Sequence, residues 1–234
     1  MSRELNPRAG GAKICSFRAA TVRGIDVLQH FQVFQLLLKC SAQSRTGLRN
    51  RALIALFYGS GIRLREALSV RPQDLDLKAG TVAIQRGKGG RRRVAAIVPD
   101  CIPILARWAD VRATLALKGT APFFCTHATG RVRGKLTFPG LPLRVEYVRV
   151  FLRRLARKAG LELRVHPHGF RHSHAVLLRQ RGWDVEAVRK QLGHSSLLVT
   201  SIYLDHLGAH ELPELMRKMG PVLSANGTAN DTRP

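Results

Sequence analysis

Four short stretches of this sequence carry side chains able to bind an anion, move a proton or attack an electrophilic centre. Gly61-Ile62-Arg63-Leu64-Arg65-Glu66 sets two arginines directly after a glycine turn, and Gly87-Lys88-Gly89-Gly90 is a tight turn with a basic tip. His166-Pro167-His168-Gly169-Phe170-Arg171-His172-Ser173-His174 gathers four histidines around an arginine. Leu192-Gly193-His194 closes an apolar stretch with a glycine stop, and Tyr203 follows after eight intervening residues, among Leu197, Leu198, Val199 and Ile202. Taken singly, each has an ordinary reading: arginines at a solvated helix start, a hairpin lysine, satisfied or capping histidines at 166 and 174, a core tyrosine. The histidines also invite a metal, because His168 and His172 would share a helix face. Gly169 lies between them, however, no Glu completes an H-E-x-x-H pattern, and no cysteine is near, so no metal site is expected.

Charge narrows the partner. The 234 residues carry 39 Lys and Arg against 15 Asp and Glu, a formal net charge of +24, and arginine outnumbers lysine 30 to 9. Such a chain repels itself unless a polyanion shares the charge, which points to nucleic acid or an anionic membrane. The arginine bias favours planar, two-point phosphate contacts. A membrane is disfavoured because no apolar run approaches the roughly 20 residues of a spanning helix. The start of the chain also lacks the apolar core of a secretory signal. Cys15, Cys40, Cys101 and Cys125 have neither metal-like nor paired spacing, consistent with reduced thiols in a cytoplasmic protein.

The elements that would position these residues follow from periodicity. Residues 1–24 form a basic leader without clear period, and the tail from 221 to 234 is polar and expected to be disordered. Between them, 25–220 reads as one domain, mainly α with a small antiparallel β-sheet. Ile25 to Leu38 is dense in apolar residues and predicts a buried helix or helix pair, and Ser41 to Leu48 predicts a loop. Arg49 to Tyr58 predicts a helix stopped by Gly59-Ser60-Gly61, with a short helix after it from Arg65 to Val70. Thr81–Gln85 and Arg93–Val98 predict two strands around the lysine turn. Ile102 to Leu117 predicts a helix, and Gly119 to Leu143 mostly loop. From Val145 the apolar positions recur at helical spacing opposite Arg149, Arg153, Arg154 and Arg157. Helices are further expected at Phe170–Arg181, Val185–Leu192, Leu197–Tyr203 and Glu211–Lys218.

Together, and in this order, the four stretches resemble the tyrosine recombinase (phage integrase) family. Its motifs are Gly-x-Arg-x-x-Glu, a Gly-Lys-Gly hairpin, His-x-x-Arg-His, Leu-Gly-His, and a tyrosine beyond. The resemblance runs from about Leu28 to Gly220, and within the motifs it departs in the spacer of His168-Gly-Phe-Arg171, where many relatives read His-Asp-Leu-Arg. It implies a site-specific recombinase fold and activity, cleaving and rejoining DNA through a 3′-phosphotyrosyl intermediate. Tyr203 would be the nucleophile, which conserves the phosphodiester energy without ATP, metal or other cofactor. Arg63 and Arg171 would grip the non-bridging phosphate oxygens and His194 would add a hydrogen bond. Lys88 would protonate the leaving 5′-oxygen, and His168 would take the proton of Tyr203. Arg91, Arg92 and Arg93, beyond the hairpin, are candidate contacts to the DNA backbone or a solvated strand end.

The implied partner is double-stranded DNA, bound as a homotetramer on paired sites, in a cytoplasmic, nucleoid-associated bacterial setting. Gly208 to Met219 would pack onto a neighbouring protomer. Fewer than 50 residues precede Arg49, so a separate core-binding domain that closes around DNA is expected to be missing. That leaves two alternatives open: a non-catalytic DNA-binding remnant or regulator, and a type IB topoisomerase-like relaxase. The complete residue set favours the recombinase over the first, and the Leu-Gly-His element and small size favour it over the second. Under each reading, duplex affinity should fall about 10³-fold or more between about 50 and 200 mM salt through counterion release. An affinity that titrations show to be flat across that range would contradict a phosphate-dominated interface.

Overall fold

A computed structural model describes residues 21–22, 25–85, 92–132 and 135–193. The leader apart from Thr21 and Val22, the lysine turn with Lys88 and Arg91, and everything from His194 onward, including Tyr203 and the two last expected helices, lie outside the described residues. The elements run β1 (Thr21–Val22), β2 (Ile25–Asp26), α1 (His30–Leu38), α2 (Arg45–Ser60), α3 (Leu64–Ser69), β3 (Leu75–Asp76), β4 (Thr81–Ile84), β5 (Arg93–Ala96), α4 (Ile102–Ala113), β6 (Gly130–Val132), β7 (Lys135–Thr137), α5 (Val145–Lys158), α6 (Pro167–Gln180) and α7 (Val185–Leu192). The chain is mostly helical with small antiparallel sheets, as the sequence led us to expect.

Helix α2 is the axis. Ser44 caps it by accepting the Gly47 N–H at 3.1 Å, so the helix begins inside the stretch read as a loop. From Ala52 to Ser60 it is buried throughout, packed by α4, α6 and α1. Phe57 stacks on Phe170 of α6 with ring centroids 6.1 Å apart, and truncating such a buried ring costs about 3–5 kcal/mol. Gly59 does not stop the helix, contrary to the sequence expectation. A Cβ there would sit 2.8 Å from the Cys101 sulfur, so Gly59 instead permits the close approach of the segment after β5. The stop is Gly61, at φ +63 in the left-handed region, a glycine cap.

Two other expectations are corrected. The Ile25–Leu38 stretch is not a buried helix or helix pair: a two-residue strand precedes α1, which buries Gln32, Val33 and Leu36 while Phe31, Phe34 and Leu38 are exposed. One amphipathic face suffices to dock a nine-residue helix, so apolar density overstated its burial. Within Gly119–Leu143, β6 and β7 form a hairpin whose three-residue strands are too short to show a period in sequence.

The sheet β3-β4-β5 is antiparallel, with Ile84 opposite Arg93 and Thr81 opposite Ala96. Val82, Ile84 and Ala95 face the core. Helix α5 buries Val148, Leu152, Leu155 and Ala156 and exposes Arg149, Arg153, Arg154 and Arg157, as its spacing predicted. Cys40, Cys101 and Cys125 are buried free thiols, and burial raises the first two to about 11 and 12. Among the described residues no helix is long and apolar enough to cross a membrane.

Helices α6 and α7 share a small apolar cluster of Ala175, Leu178, Val188 and Leu192. A polar network fastens the pair to α2 and the sheet. The Gln191 side chain accepts from the Ala96 N–H at 2.9 Å and donates to the Ala96 carbonyl at 2.8 Å, so it pairs with β5 as a neighbouring strand would. His174 Nδ1 lies 2.8 Å from the Tyr58 carbonyl oxygen, which only accepts, so Nδ1 carries the proton and Nε2 faces Gln191 at 3.3 Å. Burial holds the His174 pKa down at about 4, against the opposing Tyr58 bond and with help from the charge of Arg171. A lowered base contributes stability fully above 6.5, and that contribution disappears as pH falls through 4. Calorimetry should therefore show stability falling by about 3 kcal/mol at most across this window, and His174→Gln should flatten that limb. An unchanged limb in the variant would contradict the assignment.

Candidate active site

Both motif glycines are helix caps, and one arginine joins them. A helix end presents carbonyls without intrahelical partners and a partial negative charge. Gly61 ends α2 and Gly193 ends α7, each in the left-handed region, at φ +63 and +66. Arg171, in the second turn of α6 and 2% exposed, donates from Nη1 to the Gly61 carbonyl at 2.7 Å and from Nη2 to the Leu192 carbonyl at 2.6 Å. Its charge is thus stabilised by two helix termini, without a carboxylate among these partners. Removing the side chain would strand two helix-end acceptors, at about 1–3 kcal/mol each.

Arg63 reaches the same terminus from the other side. It precedes α3, and its Nη2 donates to the Gly193 carbonyl at 3.0 Å. Arg63 and Arg171 therefore converge on consecutive carbonyls, those of residues 193 and 192. Glu66 fixes Arg63: Oε2 accepts the Arg63 backbone N–H at 2.8 Å and Oε1 accepts Nη1 at 2.9 Å. Arg93, first residue of β5, holds the same carboxylate with a two-point grip, Nη1 to Oε1 and Nη2 to Oε2, both 2.9 Å. Four hydrogen bonds saturate the carboxylate. Burial alone would raise the Glu66 pKa, but the bonds from Arg93 and Arg63 overcome it and bring it to about 2.

His168 stands in the first turn of α6, three residues before Arg171, and is exposed. Its ring meets that of buried His172 edge-on at 4.2 Å. Partial burial and the nearby charges of Arg171, His166 and Arg63 lower its pKa, so the ring is neutral near pH 7 and able to accept a proton. His166 caps α6 by accepting the Gly169 N–H at 3.3 Å, and His174 is the satisfied core histidine described above, matching the ordinary readings of both. Among the described residues no three metal-ligating side chains are grouped to hold an ion.

Of the sequence candidates, Arg63 and Arg171 are brought together at the end of α7, and His168 lies near enough for the charges of both to act on its ring. Arg65 is exposed and lies away from this group, lining a separate hollow with Leu68 and Ser69. Arg92 is exposed, whereas Arg93 is neither a solvated strand end nor turned outward: it is spent on Glu66. Glu66 was visible only as part of a motif frame, and nothing in the sequence flagged Arg93 as its partner or Gln191 as the tie between α7 and β5. A Cβ on Gly193 would fall 2.6 Å from Arg93 Nε, a group that cannot swing aside while Glu66 holds it. Gly193→Ala should cost about 1–2 kcal/mol from the left-handed backbone alone, plus displacement of Arg93. A melting temperature equal to wild type would refute that packing.

Comparison with known proteins identifies the family and the fold. The model of the phage integrase family matches residues 26–210. Tyrosine recombinase XerC of Xylella fastidiosa (strain M23) is 36% identical over 160 residues, covering 67% of this chain and 48% of that protein. Tyrosine recombinase XerA of Thermococcus kodakarensis is 33% identical over 178 residues, covering 73% and 57%. The chain spans about half the length of the curated relatives it matches. Among solved structures, XerA recombinase shares the fold with a TM-score of 0.67 at 23% identity, covering 84% of this chain and 66% of that one. XerH recombinase, solved as a post-cleavage complex with a palindromic difH substrate, gives 0.62 at 27% identity, covering 83% and 53%. The chain belongs to the phage integrase family of tyrosine recombinases.

Proposed function

We propose that this chain is a site-specific recombinase that breaks and rejoins duplex DNA through a covalent bond between Tyr203 and a 3′-phosphate. The observation that carries the reading is the convergence of Arg63 and Arg171 on the end of α7, with neutral His168 one turn away. Two fixed guanidiniums beside a proton acceptor suit a phosphoryl group that gains negative charge on its non-bridging oxygens. The XerH relative, captured on its difH DNA after cleavage, supports the same chemistry.

In this reading the Tyr203 oxygen attacks phosphorus while His168 takes the phenolic proton. The bond to the 5′-oxygen breaks, and Lys88 supplies that oxygen with a proton. Arg63, Arg171 and His194 hold the non-bridging oxygens throughout. A 5′-hydroxyl from a partner strand then reverses the steps, so one set of groups serves cleavage and joining. Arg91 and Arg92 add backbone contacts. The working assembly is a homotetramer on two DNA sites, associated with the nucleoid, with Gly208–Met219 reaching a neighbour.

The deciding experiment expresses wild type and Tyr203→Phe in bacteria, denatures both and sequences any DNA that remains attached. DNA on the wild type alone, at recurrent sites, is the expected result. DNA on neither, with both still shifting duplex in a gel, would replace this reading by a non-catalytic DNA-binding protein. Arg63→Ala should slow cleavage about 10²–10³-fold with the fold retained. Arg171→Ala should slow it and also lower the melting temperature, since Arg171 ties two helices together. EDTA should leave cleavage intact; inhibition reversed by a divalent metal would overturn the metal-free mechanism.

A further inference from the structure

We propose that Arg93 is a positioning residue for Arg63: by occupying one edge of the Glu66 carboxylate, it stops Glu66 from closing onto Arg63 and keeps that guanidinium turned toward the end of α7. The inference rests on the recombinase reading for its consequence but on geometry for its substance. Arg93 holds Glu66 with two nitrogens, whereas Arg63 reaches the same carboxylate with only one side-chain nitrogen, its second lying on the Gly193 carbonyl. Arginine and carboxylate prefer a two-point pairing when nothing competes. Glu66 is 4% exposed, so solvent cannot take Arg93's place. With Arg93 gone, the carboxylate can complete a two-point pairing by drawing Arg63 Nη2 off the Gly193 carbonyl.

Charge leads to the same conclusion. A lone Arg63–Glu66 pair is neutral and would attract a phosphate weakly. Two arginines around one carboxylate leave one positive charge in excess, and of the two it is Arg63 that is more open, at 31% exposure against 14%. Arg93 also packs against Gly193, so the residue before His194 rests on the same guanidinium. Arg93 is therefore not a phosphate contact and touches no reacting atom. It is a buttress for one that does.

The test has two arms. In a crystal structure of Arg93→Met, Arg63 should be found with both terminal nitrogens on Glu66 and the bond to Gly193 lost; Arg63 still on Gly193 would overturn the proposal. In the second arm, cleavage of an ordinary duplex by R93M should be slowed about 10–100-fold, as expected for a misplaced donor to the developing charge. On a substrate with a methylphosphonate at the scissile position, which removes the charge that Arg63 meets, most of that gap should close. A gap of the same size on both substrates would mean that Arg93 only supports the fold, and overturns the proposal. So would a gap that closes instead on a 5′-bridging phosphorothiolate, whose better leaving group relieves the need for Lys88. If R93M does not fold, Arg93→Lys, offering one nitrogen to two oxygens, is read in the same two ways. Failure of the wild type itself to cleave would remove the recombinase reading, and the crystal structure would still judge Arg93.

Discussion

The structure depends on one buried guanidinium shared between two helix ends. An arginine in the interior needs partners for its charge and its N–H groups, because an unpaired buried charge costs many kcal/mol. Arg171 finds two of them in the last carbonyls of α2 and α7. The carbonyls gain as much as the arginine does, since helix termini otherwise leave acceptors open. The arrangement works only if both helices stop where they do. That places the demand on Gly61 and Gly193, whose left-handed backbone lets each helix end abruptly with its carbonyls facing inward.

From that junction the other site residues inherit their places. Arg63 follows Gly61 by two residues and so emerges beside the same guanidinium. His168 precedes Arg171 by one turn of α6. The Leu192 and Gly193 carbonyls, at the terminus of α7, are the point on which both arginines converge. Gln191, Arg93 and Glu66 tie this terminus to the sheet and to α3. Rigid elements thus hold the groups proposed to meet phosphate, which suits electrostatic stabilisation because donors already in place need no reorganisation when charge develops.

Within the described residues, the grouping of Arg63, His168 and Arg171 was legible in sequence because a motif records which residue types must stand at fixed short spacings. Gly61 with Arg63, His168 with Arg171, and the glycine before His194 are local relations, fixed by turns and helical pitch. What the sequence hid was tertiary. Arg93 looked like one of three surface arginines, and its pairing with Glu66, 27 residues away, follows only from how β5 lies against α3. Gln191 lies on the helix expected over Val185–Leu192, and its pairing with Ala96, 95 residues away, leaves no local trace. Gly59 was read as a stop although it serves the packing of Cys101, since a close approach leaves no local trace. The apolar run of α1 misled for the opposite reason: composition reports how many apolar residues there are, not which of them find a surface to cover.

The pairing of Gln191 with Ala96 bears on how the protein behaves when it is stressed. β5 lies at the edge of its sheet, and an uncovered edge offers N–H and C=O groups to any passing strand. One side-chain amide meets both groups of Ala96 and so blunts that edge, with α7 as its anchor. Fraying of α7 would uncover it. The protection of this sheet edge against strand-to-strand pairing thus rests on the integrity of an eight-residue helix.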